Sequence, residues 1–191
     1  MIIIKASKEA TQEMKDWFDE RTNKHIKLVQ DYCKKIDEAF PGRFPNLVER
    51  GKEHDKSKFG NPEYDPYIWT TWRYKCKEDG KKFDPPEGME DKMNEATEHH
   101  IKNNRHHPEF HCDKEENLIN EDNRDKPPED AIDATKMEDE DIAEMCADWC
   151  STSEERGNSP RNWADKNIGP RWKFDDDQKE LIYEIIDAVW E

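Results

Sequence analysis

Only 28 of the 191 residues are Leu, Ile, Val or Phe, and this scarcity of ordinary core side chains limits what the chain can build. Charged residues reach 41%. A charged chain with less than roughly 20% of those four residues is suspected of disorder. Seven Trp, five Tyr and six Met argue the other way, because large side chains each bury more area and fewer are needed. The soft prior of about 150 residues per domain gives one domain here. The composition predicts a single globular domain over residues 1–191, with a thin aromatic-rich core and a polar insertion.

The hydrophobic pattern is helical throughout, with no sustained period-two alternation. One helix is expected over about 8–20, holding Met14, Trp17 and Phe18. A second follows over 22–39, with Thr22 or Asn23 as its cap and His25, Val29, Tyr32 and Ile36 on one stripe. Pro41, Gly42 and Pro45 break the chain. A short helix spans about Asn46 to His54, and Pro66 opens another that puts Ile68, Trp69, Trp72 and Cys76 on one face. Further helices are expected over 88–103 (Met89, Met93, Ala96, His100), 138–153 (Ile142, Met145, Cys146, Trp149) and 175–190 (Ile182, Ile185, Ile186, Val189). The acidic run Asp175-Asp176-Asp177 suits the start of the last. The fold class is therefore all-α, a helical bundle with a C-terminal helical segment at 160–191 packed on it. Residues 113–130 stand apart, with eight acids, three bases and only Leu118 and Ile119 strongly apolar. A loop of that length is expected as an insertion.

The net charge is −16. It disfavours nonspecific binding to nucleic acid or anionic membrane, both polyanions, but admits a small phosphate if a metal supplies local positive charge. The run Ile2 to Ile4 is too short for a signal or membrane segment. Five Cys form no C-x-x-C pair, which fits free thiols in a reducing cytosol. A cytoplasmic protein without membrane contact is expected; a homo-oligomer is compatible with the sequence.

All seven His lie between 25 and 111, five of them within 99–111. One imidazole on a core-facing stripe is ordinarily a hydrogen-bonded structural residue. Here His25 and His100 both occupy such stripes, and His54 is followed directly by Asp55. Imidazole with carboxylate suits borderline divalent metals. Adjacent His54 and Asp55 can both be ligands only where a helix ends, since neighbours do not share a helix face. Gly51 and Gly60 flank them and are compatible with that irregularity.

The order His25, His54-Asp55, His100, His106 or His107, then Asp148 resembles the HD-domain superfamily of metal-dependent phosphohydrolases. His54-Asp55-Lys56-Ser57-Lys58 resembles its H-D-x-[GS]-K version. The blocks from Glu98 to Glu109 and from Glu144 to Trp149 are similar to an uncharacterised bacterial and phage branch. The resemblance covers about residues 20–155. It implies that His25, His54, Asp55 and Asp148 hold a first metal, with His100 and His107 holding a second if there are two ions; His106 is the alternative to His107. It implies Mn, Fe, Co, Ni, Zn or Mg as the metal. Lys58 would contact phosphate, His100 and His107 could instead act as acid or substrate contacts, and Glu109 is a candidate proton shuttle. The implied substrate is a small phosphorylated molecule, a nucleotide above all.

Three other readings compete with this one. Some HD-fold proteins hold two irons on the same donor set and use O₂. A non-catalytic metal-binding module is the second. The third, an HNH nuclease, needs a histidine beyond Asn117, and residues 118–191 contain none. Structural zinc at His111-Cys112 lacks a second Cys at ligand spacing. Arg105 as an anion ligand and Trp69 and Trp72 as base-stacking residues are each weaker than a surface charge and core packing.

Overall fold

A computed structural model describes residues 3–5, 9–115, 118–119 and 126–190. The elements, in order, are β1 (Ile3–Lys5), α1 (Gln12–Ala39), α2 (Leu47–Glu53), α3 (Tyr64–Glu78), β2 (Lys82–Asp84), α4 (Met89–Asn103), β3 (Ile132–Asp133), α5 (Asp139–Arg156), α6 (Pro160–Asn167), β4 (Trp172–Lys173) and α7 (Asp176–Val189). Single 3-10 turns lie at Lys56–Phe59 and Pro108–His111. The chain is all-α, as its periodicity requires. Tertiary contacts divide into two compact units, each built from two separate stretches of chain.

The first unit comprises residues 1–24 and 55–100. Its core is Met14, Phe18, Ile68, Trp69, Cys76, Phe83 and Met93. Phe18 meets Tyr64 edge-on with ring centres 5.4 Å apart, and Trp69 stacks on Phe83 at 6.0 Å. Four aromatic rings thus do what a larger set of aliphatics would otherwise do. β1 and β2 form a short parallel pair, Ile4 opposite Phe83.

The second unit comprises residues 25–54 and 101–191. α5 is its centre, with α2, α6 and α7 packed against it. Ile142, Met145, Cys146, Trp149 and Cys150 of α5 meet Leu181, Ile182, Ile185, Ile186 and Val189 of α7 in one core, with Val29, Cys33 and Ile36 of α1. α7 opens with a reciprocal cap: Gln178 N donates to Asp175 Oδ1 at 2.8 Å, and Asp175 N donates to Gln178 Oε1 at 3.0 Å. That satisfies two otherwise orphaned donors. α6 starts on Ser159, whose Oγ accepts from Asn162 N, with Pro160 in the first turn.

Three expectations change. The helices expected at 8–20 and 22–39 are one helix. Thr22 is buried, and Asn23 turns its side chain back onto Asp19 O at 2.8 Å. The apolar stripe through Met14, Phe18, Ile26, Val29, Cys33 and Ile36 runs on without the break a cap would need. The insertion expected at 113–130 lies partly outside the described residues, at 116–117 and 120–125. Its described Leu118 belongs to the second unit's core, so the segment is not polar throughout. The two glycines beside His54-Asp55 do not carry the irregularity assigned to them. Gly51 is inside α2, Gly60 has a negative φ, and the left-handed residue is Asp55 itself, φ 58°. No helix among the described residues is long and apolar enough to cross a membrane.

Candidate metal centre

The α5 sequence places Asp141, Glu144, Asp148 and Glu155 on one face, at spacings of three, four and seven. The opposite face carries the core residues. This acidic stripe is buried or half-buried, which demands partners for every carboxylate. Arg50 and Arg105 supply them for Asp141, and histidines face Glu144, Asp148 and Glu155.

His54 ends α2, where the backbone leaves helical geometry (φ −50°, ψ 132°). One donor atom from each of His54, His106 and Asp148 lies within 4.8 Å of the others. His54 and His106 have ring centres 4.1 Å apart, and His54 Nε2 is 4.0 Å from Asp148 Oδ1. His25, from α1, joins them: its Nε2 is 3.0 Å from Asp148 Oδ1 and its ring is 5.7 Å from that of His54. On the far side of each ring stands a glutamate. Glu144 Oε1 is 2.9 Å from His54 Nδ1 and 3.4 Å from His106 Nδ1, and Glu155 Oε2 is 3.3 Å from His25 Nδ1.

Burial alone would raise the Asp148 carboxyl, but its bond to His25 and the charges of His25, His54 and His106 hold it far below the ordinary carboxylate range. Glu144 behaves alike: burial opposes ionisation, and the bonds from His106 and His54 more than reverse it. The histidines thus favour the ionised form of both acids. Three imidazoles with an ionised carboxylate are the donors a borderline divalent cation takes, with carboxylates behind the rings as such sites require.

The first unit has its own constellation. His100 stands between two acids, with Nε2 3.0 Å from Asp55 Oδ1 and Nδ1 2.8 Å from Glu63 Oε2. Burial and Lys58 would lower the His100 pKa, yet Asp55 and Glu63 raise it above its ordinary value. Glu63 is fully buried and also binds His99 Nδ1 at 2.8 Å and Ser57 Oγ at 3.0 Å. Lys58 pairs with Asp55 and lies 5.2 Å from the Tyr67 ring centre.

His25, His54 and Asp148 come together in the second unit, and His106 joins them; the His107 ring lies tilted against that of His106, centres 4.2 Å apart. Asp55, Lys58 and His100 come together in the first. Glu109 is held by neither group: its Oε1 accepts from Trp172 Nε1 at 2.8 Å inside the second unit's core. Arg105 spends its guanidinium on Asp141, at 2.8 and 3.0 Å. Trp69 is buried in the core of its unit. Sequence reasoning does not find Glu63, Glu144 or Glu155. The available signal for Glu144 is its place one helical turn before Asp148.

Fold and site define an all-α protein with a histidine–carboxylate cluster that could hold a metal ion. The chain belongs to a family of unknown function (DUF5662), whose pattern matches residues 14–188 and so spans all the residues above. Searches of curated proteins and of solved structures found no match.

Proposed function

We propose that the protein is a divalent-metal-dependent phosphohydrolase acting on a small phosphate ester, a nucleotide above all, in a reducing cytoplasm. The observation that carries this reading is the convergence of His54, His106 and Asp148 with donor atoms within 4.8 Å, with His25 beside them. These four would hold the ion. A divalent ion there supplies Lewis acidity toward phosphoryl oxygen and acidifies a bound water. The chain's own part is to keep the donors ionised or neutral as needed: Asp148 stays a carboxylate, and Glu144 and Glu155 hold the backs of the rings. The resemblance to HD-domain phosphohydrolases adds Lys58 as the cation for a substrate phosphate, where fixed positive charge stabilises the transferring group. The five cysteines are free thiols, which agrees with a reducing compartment.

The test is phosphate release from a panel of nucleotides by protein purified without a histidine tag, with Mn, Mg, Co, Ni or Fe added singly. Release that chelator abolishes and metal restores is the expected result. Silence across the whole panel with every metal overturns the reading.

A further inference from the structure

Two imidazoles share one carboxylate oxygen, Glu144 Oε1, through Nδ1 of His54 at 2.9 Å and Nδ1 of His106 at 3.4 Å. The other oxygen, Oε2, accepts from Arg50 Nε at 2.8 Å. Arg50 continues to Asp141, which is fully buried and also holds Arg105. The Glu144 carboxylate is therefore clamped from behind and can only accept. A neutral imidazole carries one N–H. Spent on Glu144, it leaves the lone pair on Nε2.

We propose that Glu144 is a positioning residue that fixes the tautomer and rotation of His54 and His106 together, so that both present Nε2 to a divalent cation. The inference rests on the metal reading above and names what enforces it. Arg50 is the anchor that stops the carboxylate from turning. His25 differs, because carboxylates face both of its nitrogens, Glu155 at Nδ1 and Asp148 at Nε2, and these do not select one neutral tautomer. Glutamine cannot replace Glu144. With its carbonyl toward the rings, its amide N–H₂ meets the Arg50 donor. Flipped, it offers donors to Nδ1 and drives the ring proton onto Nε2, where it blocks a metal.

The experiment uses the full chain without a histidine tag. Zinc affinity is measured by chelator competition, and side-chain ¹⁵N spectra of the zinc-loaded protein assign the protonated nitrogen of each histidine. Wild type is expected to bind zinc with Nδ1–H and metal-bound Nε2 at both His54 and His106. Glu144→Gln is expected to keep its far-UV circular dichroism and lose about 10–100-fold in zinc affinity, the range for removing such an outer carboxylate. Zinc bound through Nδ1 of either ring in wild type overturns the inference, as does a folded Glu144→Gln protein with wild-type affinity and unchanged tautomers. Both of those outcomes leave the metal reading standing. Wild type that takes up no zinc, manganese or cobalt overturns the metal reading and the inference with it. Should Glu144→Gln fail to fold, the wild-type spectra still decide.

Discussion

The sulfur of Cys33 on α1 occupies the space that a Cβ on Gly51 of α2 would need, 2.9 Å away. Cys33 Cβ would also be at 3.2 Å and Gln30 Cα at 3.5 Å. The thiol is a packing group: burial first, then the nearby Glu144 charge, pushes it up to about 12. Gly51→Ala sets two effects against each other. Alanine gains roughly 0.5–1 kcal/mol of helix preference, while overpacking against a one-rotor side chain and a fixed backbone costs about 1–3 kcal/mol. The clash wins, so net destabilisation of about 1 kcal/mol is expected in urea unfolding. Because Gly51 lies three residues before His54, metal affinity should fall as well. Cys33→Ala in the Gly51→Ala background should recover part of the loss, giving a favourable coupling in a double-mutant cycle. Additive effects would show that the two residues do not press on each other.

Asp148→Asn keeps the shape of the side chain and removes its charge. Asp148 faces His25 Nε2 at 3.0 Å and His54 Nε2 at 4.0 Å, and an amide there offers no anionic donor. If the cluster is the metal centre, metal affinity falls below detection in calorimetry. kcat/KM for phosphate release should drop by at least about 100-fold, about 2.7 kcal/mol of transition-state stabilisation. Wild-type turnover in this variant would remove Asp148 from the site.

Some of this is legible in the sequence and some is not, for physical reasons. The helical class follows from stripes such as Ile182, Ile185, Ile186 and Val189, since periodicity survives without tertiary information. The four strands are not legible, because pairs of two or three residues are too short to alternate. Within the helical segment expected at 160–191, α6 is not marked off as a separate helix of eight residues, although Ser159-Pro160 is a proper start signal. His25, His54 and Asp148 can be singled out because each lies beside a core stripe or in the His-Asp pair. The choice between His106 and His107 cannot be made. They are neighbours in a non-helical segment, and there side-chain direction depends on backbone angles that no period predicts. Glu63, Glu144 and Glu155 are hidden by numbers, three among 47 acidic residues. What marks them is burial against an imidazole, which only the fold reveals.

Asp55 combines a buried carboxylate with a left-handed backbone, φ 58°. Aspartate tolerates that region better than most residues, yet not without cost. Glycine, alanine and asparagine at this position separate strain from charge. Asp55→Gly and Asp55→Ala both lose the partner of His100 and Lys58. Asp55→Ala should be the less stable of the two by about 1 kcal/mol, because only glycine adopts positive φ freely. Asp55→Asn should lie above both in unfolding free energy, since it fits the backbone and can still accept a hydrogen bond. Equal stabilities for the glycine and alanine variants would mean that the backbone there carries no strain.

Glu109 gives the protein a pH dependence whose sign is fixed. It is buried, and burial raises its carboxyl above the ordinary 4.5; the Trp172 N–H opposes this without cancelling it. Below pH 4.5 the group is protonated in both folded and unfolded chains, so its full contribution is present. As pH rises past that value the unfolded chain ionises while the folded one does not, and stability is lost until the folded value is passed. Glu109→Gln is neutral at every pH, and its carbonyl can still accept from Trp172. Its stability relative to wild type should therefore rise with pH from about 4.5 upward, by about 1.4 kcal/mol for every pH unit that separates the folded from the unfolded pKa. Urea unfolding of both proteins between pH 4 and pH 8 measures this difference. A gap that stays constant across that range would mean that Glu109 ionises normally in the fold, and a gap that narrows would mean that its carboxylate is the stabilised form.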